Sequence, residues 1–253
     1  MMIILSVSRV ERFGREDIML MQPNELYKRI HTRDNYRHIG KDLSYKFYID
    51  RVNKVFYVCF QGSNGLLDWF HNLLAIPVKM RDFCASLFDE DHGAEEYEEG
   101  CGWKVHKGFR RAWLSGNETI MEELRMFTER PQLEGFRIVF SGFSHGGPQA
   151  MLGAKNWFDL TGNKCRCEIF GSPRLAHGEA AVRVLNNAMD LICWINPLDI
   201  VTTLPFEGWG YKHVREDILN VKGIPFLSKL LVWIQHQIYD RPEIYPEIMD
   251  RAA

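Results

Sequence analysis

The sequence predicts an α/β fold, a mainly parallel central sheet covered by helices, and three observations predict it. Short apolar runs rich in β-branched and aromatic residues alternate with longer helical stretches from about residue 45 to residue 195. One such run, Phe136–Phe140, leads through Gly142-Phe143-Ser144-His145-Gly146 into a helical stretch containing Ala150, Met151, Leu152 and Ala154. The chain's 253 residues, 46% of them hydrophobic, are enough to fill one α/β core, and no Gly/Ser-rich or Pro-rich linker or internal repeat divides them. A single domain over residues 1–253 is therefore expected, with residues 1–25 peripheral to it.

The elements follow in order. Tyr45–Asp50 and Lys54–Phe60 read as strands joined by a turn at Arg51-Val52-Asn53, the second ending in the loop Gln61–Gly65. A short helix is expected over Leu67–Leu74 and a strand around Val78–Phe83. After His106-Lys107-Gly108-Phe109 the pattern predicts one helix reaching about Arg130, where Pro131 stops it. Beyond the strand-to-helix turn at Ser144 come a strand over Cys165–Phe170, a helix from about Gly178 to Ala188 and a buried strand over Leu191–Ile195. In such a sheet the loops at the carboxyl ends of the strands hold the site.

Composition narrows the function classes. A formal net charge of -2 argues against a polyanion-binding surface, so nucleic acid is not an expected partner. Seven acidic residues crowd Asp89–Glu99, which reads as a solvated loop. The six cysteines are scattered: Cys59 and Cys193 lie in apolar runs, and Cys165 and Cys167 alternate on a strand without the spacing of a zinc site. Neither a disulfide framework nor a metal site is expected. Met1–Val7 is apolar but too short to span a membrane and lacks a clear cleavage site, so residence in a reducing cytoplasm is the expectation.

The chemistry centres on Ser144. A serine on a sharp strand-to-helix turn adopts strained backbone angles, and glycines two residues to either side let strand and helix pass closely while the hydroxyl stands above the sheet. Serine alone is a poor nucleophile at neutral pH, so a base must take its proton and an acid must orient that base. In folds with this elbow the chain order is Ser, acid, His. Asp199, in the loop after the strand ending at Asn196-Pro197, fits the acid, although an Asp there also reads as the maker of its own turn. Only His213 and His236 follow it. Either fits the order.

These residues resemble the class 3 lipases, the fungal-lipase-like branch of the α/β hydrolases, over roughly positions 45–240. The matching pieces are Phe60-Gln61-Gly62-Ser63 with Asp68-Trp69 and Asn72-Leu73, His106 with Gly108-Phe109, Ser141–Gly147, Phe170–Arg174, and Asp199-Ile200-Val201 with Leu204-Pro205. The chain departs from the family in having Gln61 where Arg usually stands. The resemblance implies an α/β-hydrolase fold and hydrolysis of lipid acyl esters, with Ser144 as nucleophile and Asp199 as acid. It favours His236, followed shortly by a Tyr, as the base; His213 lies in a segment that is usually structural and remains the alternative.

What the resemblance implies mechanistically is an acyl-enzyme route. Its oxyanion would be held by the backbone amides of His145 and Ser63, and no metal or organic cofactor is implied. The expected partners are a lipid or small-molecule ester substrate and a transient lipid surface. Apolar rims are expected from Leu66, Leu67, Trp69, Phe70 and Leu73 and from Phe226, Leu227, Leu230, Leu231 and Trp233. A short-chain esterase or phospholipase of the same mechanism, or a lipase-like binding module without turnover, is the alternative.

Overall fold

The computed structural model describes residues 21–32, 35–39, 43–62, 77–80, 103–219, 236 and 238–245. Several expectations lie outside these residues: the helix over Leu67–Leu74, the acidic loop, Ser63, and both proposed apolar rims. Residues 1–20 of the expected peripheral segment also lie outside them. The end of that segment, from Pro23, is the first turn of helix α1 (Pro23–His31), whose Leu26, Tyr27 and Ile30 are buried.

A seven-stranded sheet runs in the order β1-β2-β3-β6-β7-β9-β11. Its strands are β1 (Arg37–Ile39), β2 (Leu43–Asp50), β3 (Val55–Phe60), β6 (Arg137–Phe143), β7 (Cys165–Phe170), β9 (Met189–Ile195) and β11 (Asp217–Ile218). The β1–β2 and β2–β3 pairs are antiparallel, and every pair from β3 onward is parallel. The expected mainly parallel sheet is thus present. Because β3, β6, β7 and β9 run the same way, Gln61-Gly62, Ser144, Gly171 and Asn196–Asp199 all emerge at one edge of it. The apolar residues of β3 are buried on both faces, as a central parallel strand requires.

One face of the sheet packs under α2 (Lys107–Leu114), α3 (Asn117–Thr128), α4 (Gly146–Thr161) and α5 (Gly178–Ala188), with Phe56, Val58, Phe60, Phe140, Cys167 and Ile169 directed into that core. The other face carries Tyr57, Cys59, Val139, Phe143, Phe170 and Trp194. It is covered by α1 and by the 3-10 turns Ile238–Asp240 and Pro242–Ile244. Burial pushes the Cys59 thiol up to about 12, so this cysteine is a core side chain rather than a thiolate.

Two expectations are corrected. The single helix from Lys107 to about Arg130 is two helices, α2 and α3, separated at Ser115-Gly116. A Cβ on Gly116 would lie 2.7 Å from Ile39 and 2.9 Å from Leu43, so close packing against the outer strands occupies the break. A second sheet, antiparallel and four-stranded, was not expected. It runs β10-β8-β5-β4, from β4 (Pro77–Met80), β5 (Trp103–His106), β8 (Ala176–His177) and β10 (Tyr211–Lys212). Strands of two residues leave too little alternation to read.

Candidate active site

The elbow is built by backbone sterics. β6 ends at Phe143 and α4 begins at Gly146, leaving Ser144 with φ of 54°. That left-handed angle is uncommon for a residue with a Cβ and costs energy unless its surroundings enforce it. Here they do. The Ser144 N–H donates to the Phe170 carbonyl at 2.9 Å, and its own carbonyl accepts from Gly147 N–H at 2.9 Å. A Cβ on Gly142 would collide with the Gly146 carbonyl, one on Gly146 with the Phe60 carbonyl, and one on Gly147 with Ser172 Oγ. The three glycines therefore let strand, turn and helix overlap at distances any side chain would forbid. Gly62, from the loop after β3, approaches from the other side: a Cβ there would lie 3.2 Å from the Ser144 Cβ.

His145 caps the N-terminus of α4, a helix whose first eleven residues are all buried. Its amide lies at the positive end of the helix dipole, which favours negative charge. Pro148 sits within the first turn, where a missing N–H costs little.

Asp199 and His236 are brought together from 37 residues apart. Asp199, 1% exposed, follows β9, and its carboxylate is shared among three donors. Oδ1 accepts from Val201 N–H at 2.9 Å, capping the 3-10 turn Ile200–Thr203. Oδ2 accepts from His236 Nδ1 at 2.7 Å and from the Tyr239 hydroxyl at 3.0 Å. Oδ1 thus makes the turn, and Oδ2 is the oxygen that meets His236 and Tyr239. Since a carboxylate only accepts, His236 carries its proton on Nδ1 in this contact.

His236 is 2% exposed, and its ring lies on that of Phe143, with centroids 4.6 Å apart. Phe143 immediately precedes Ser144, so the imidazole is seated at the end of the strand that leads into Ser144. Nε2 is buried and has no hydrogen-bond partner among the described residues. His213 sits elsewhere: its Nε2 donates to the Thr202 carbonyl at 2.6 Å. Burial, with the nearby Arg174 cation, pushes its pKa down to about 4. Of the two histidines, the structure brings His236 to Asp199 and leaves His213 on the far end of the acid's own turn.

Tyr239 was missed as a site residue. Fully buried, it donates to Asp199 and its oxygen accepts from Asn196 N–H at 3.2 Å, tying the end of β9 to the acid. Burial raises its pKa well above the phenol range, and the Asp199 charge adds to this, so it remains a donor. Gly171, with φ of 52°, lets it in: a Cβ there would stand 2.9 Å from Tyr239 Cε2 and 3.1 Å from Asp199 Oδ2. The Tyr three residues after His236 was the available signal. Arg174 fastens the far end of the acid loop by donating to the carbonyls of Thr203 and Pro205.

The profile of the class 3 lipase family matches residues 57–209, more than half the chain, from within β3 through the turn after Asp199. The protein belongs to the class 3 lipases. A lipase of Rhizomucor miehei is 26% identical over 169 residues, covering 65% of this chain and 41% of that protein. The chain therefore spans less than half the length of this curated relative. Among solved structures, the triacylglyceride lipase of Rhizomucor miehei superposes with a TM-score of 0.59 at 21% identity, covering 73% of this chain and 65% of that one. A lipase from Rhizopus microsporus var. chinensis gives 0.54 at 19% identity, over 72% and 58% of the two chains. These neighbours share the α/β-hydrolase fold expected from the sequence. Among the described residues no group of three or more His, Cys, Asp or Glu side chains could hold a metal ion, and no helix is long and apolar enough to cross a membrane.

Proposed function

We propose that this class 3 lipase hydrolyses carboxylic esters of lipids through an acyl-enzyme, with Ser144 as nucleophile, His236 as general base and then acid, and Asp199 as its orienting carboxylate. The observation that carries the reading is the buried His236 Nδ1 to Asp199 Oδ2 bond at 2.7 Å, seated on the ring of the residue before Ser144. Asp199 holds the imidazole with its proton on Nδ1, which leaves the Nε2 lone pair to take the Ser144 proton as the hydroxyl attacks the ester carbonyl. The resulting imidazolium is stabilised by the carboxylate and returns its proton to the departing alcohol. Water, activated in the same way, then cleaves the acyl-enzyme. The tetrahedral oxyanion is assigned to the amides of His145 and Ser63.

A triacylglycerol lipase of similar fold has a serine protease triad as its catalytic centre, which supports the same assignment here. The ester class is supported by apolar residues beside the acid: Leu198 and Ile200 flank Asp199 and are 37% and 40% exposed. Labelling with a fluorophosphonate followed by peptide mapping tests the proposal. The adduct is expected on Ser144, and Ser144→Ala should abolish it and lower kcat by roughly 10³-fold or more. An intact protein that neither labels nor turns over p-nitrophenyl esters would be a lipase-like binding module. In the active protein, each buried methylene adds about 0.8 kcal/mol, so octanoate should exceed acetate by well over tenfold in kcat/KM. A flat profile below the micelle concentration would indicate a short-chain esterase.

A further inference from the structure

We propose that His106 is a positioning residue for the oxyanion-binding amide of His145, acting through Phe109. The inference rests on the hydrolase reading above. β5 ends at His106, and α2 starts at the next residue. His106 Nδ1 accepts the Gly108 N–H at 3.2 Å, capping the first turn of α2 from a side chain. An acceptor at Nδ1 requires the neutral ring with its proton on Nε2.

From this cap a line of rings runs to the elbow. The His106 ring lies 4.6 Å from Phe109, and Phe109 meets the His145 ring edge-on at 5.3 Å. The Phe109 carbonyl accepts from Gln149 Nε2 at 3.3 Å, in the first turns of α4. The start of α2 is thus joined to the start of α4 by a ring contact at His145 and a hydrogen bond four residues later. Both helix starts flank the amide that would receive the developing negative charge. Oxyanion donors act only within a few tenths of an ångström of the right place, so a rotation of α2 carrying Phe109 away would be felt in the transition state before it is felt in substrate binding.

Packing alone does not account for a histidine at this position. His106 is 2% exposed, lies between Phe109 and Tyr211, and its Nε2 has no hydrogen-bond partner among the described residues. A buried polar atom without a partner costs stability that a phenylalanine of similar shape would not. What phenylalanine lacks is the Nδ1 acceptor that sets the first turn of α2.

The test compares His106→Phe, His106→Asn and Phe109→Leu with the unaltered enzyme on p-nitrophenyl butyrate, well below the unfolding temperature and with folding checked by circular dichroism. His106→Phe should lose about tenfold in kcat with KM unchanged, and its fluorophosphonate labelling rate should fall in parallel. His106→Asn restores a capping acceptor and should return to within about threefold of the unaltered enzyme. Phe109→Leu keeps the cap, breaks the line of rings and should lose about as much as His106→Phe; it carries the test should His106→Phe fail to fold. Unchanged kcat in a folded His106→Phe or Phe109→Leu, with only the melting temperature lowered, would reduce His106 to a structural cap and overturn the inference while leaving the hydrolase intact. Absence of turnover and labelling in the unaltered enzyme would instead remove the hydrolase reading, and this inference with it.

Discussion

His236, buried, and His213, half-buried, pack against the same short stretch of chain, Asp199–Thr202, and make different use of it. His236 meets the Asp199 carboxylate, whereas His213 meets the Thr202 carbonyl three residues on. A neutral carbonyl compensates little of the cost of burying a charged ring, so His213 is held neutral, with its pKa pushed down to about 4. A carboxylate at 2.7 Å is the partner that stabilises an imidazolium, and His236 alone has one. The lesson is that burial by itself makes a histidine structural. Under the hydrolase reading proposed above, the charge of its first partner is what would fit His236 for proton transfer.

The largest expected effect breaks the comparison at its active side. His236→Ala should lower kcat by roughly 10⁴-fold or more, and combining it with Ser144→Ala should cost little beyond either change alone, because the groups act as one unit. His213→Gln, measured beside it, should stay within about threefold of the unaltered kcat and lose on the order of 1–2 kcal/mol in urea unfolding. The reverse pattern would exchange the two roles. Asp199→Asn should follow at roughly 10³- to 10⁴-fold, since an amide can present its N–H to Nδ1 and select the wrong tautomer.

A smaller effect sharpens the account of the acid. Tyr239→Phe removes one of the donors on Asp199 and the hydroxyl that accepts from Asn196 N–H. A loss of about tenfold in kcat at constant KM is expected, and an equal rise in KM would show that Tyr239 shapes the substrate pocket instead.

A separate effect is on stability against pH. His106 and His213 both have folded-state pKa values lowered from 6.5 to about 4, by burial first, then by His145 for the one and Arg174 for the other. The fold therefore favours their neutral forms. The stability is complete above pH 6.5 and is lost as pH falls from there toward 4, because the unfolded chain binds protons that the folded one refuses. Each should contribute a loss of about 2 kcal/mol between pH 7 and pH 4.5. Urea midpoints at the two pH values check it: His213→Gln should lose less on acidification than the unaltered protein, and an equal loss would exclude His213 as a source.

The sequence by itself determined the parallel core and the elbow, because both are written in local terms. The strand over Val55–Phe60 is a continuous apolar run, those over Cys165–Phe170 and Met189–Ile195 are mostly apolar with Arg166, Glu168 and Asp190 among them, and α5 begins and ends at the expected Gly178 and Ala188. Gly142, Gly146 and Gly147 around Ser144 mark a turn that no other residue could make at those separations. What only the tertiary structure decided were matters of partnership between distant segments. Chain order admitted His213 and His236 equally, and the family resemblance leaned toward one; the 2.7 Å contact across 37 residues distinguishes their surroundings. The position of Tyr239 three residues after His236 was a local hint, but nothing local tied it to Gly171, since the hydroxyl and the glycine meet only when β7, β9 and the turn after His236 converge. The break at Gly116 escaped for the same reason, and the second sheet because two of its strands are only two residues long. Backbone conformation is set by neighbours in sequence, but which side chain a buried polar group meets is set by the packing of elements far apart along the chain.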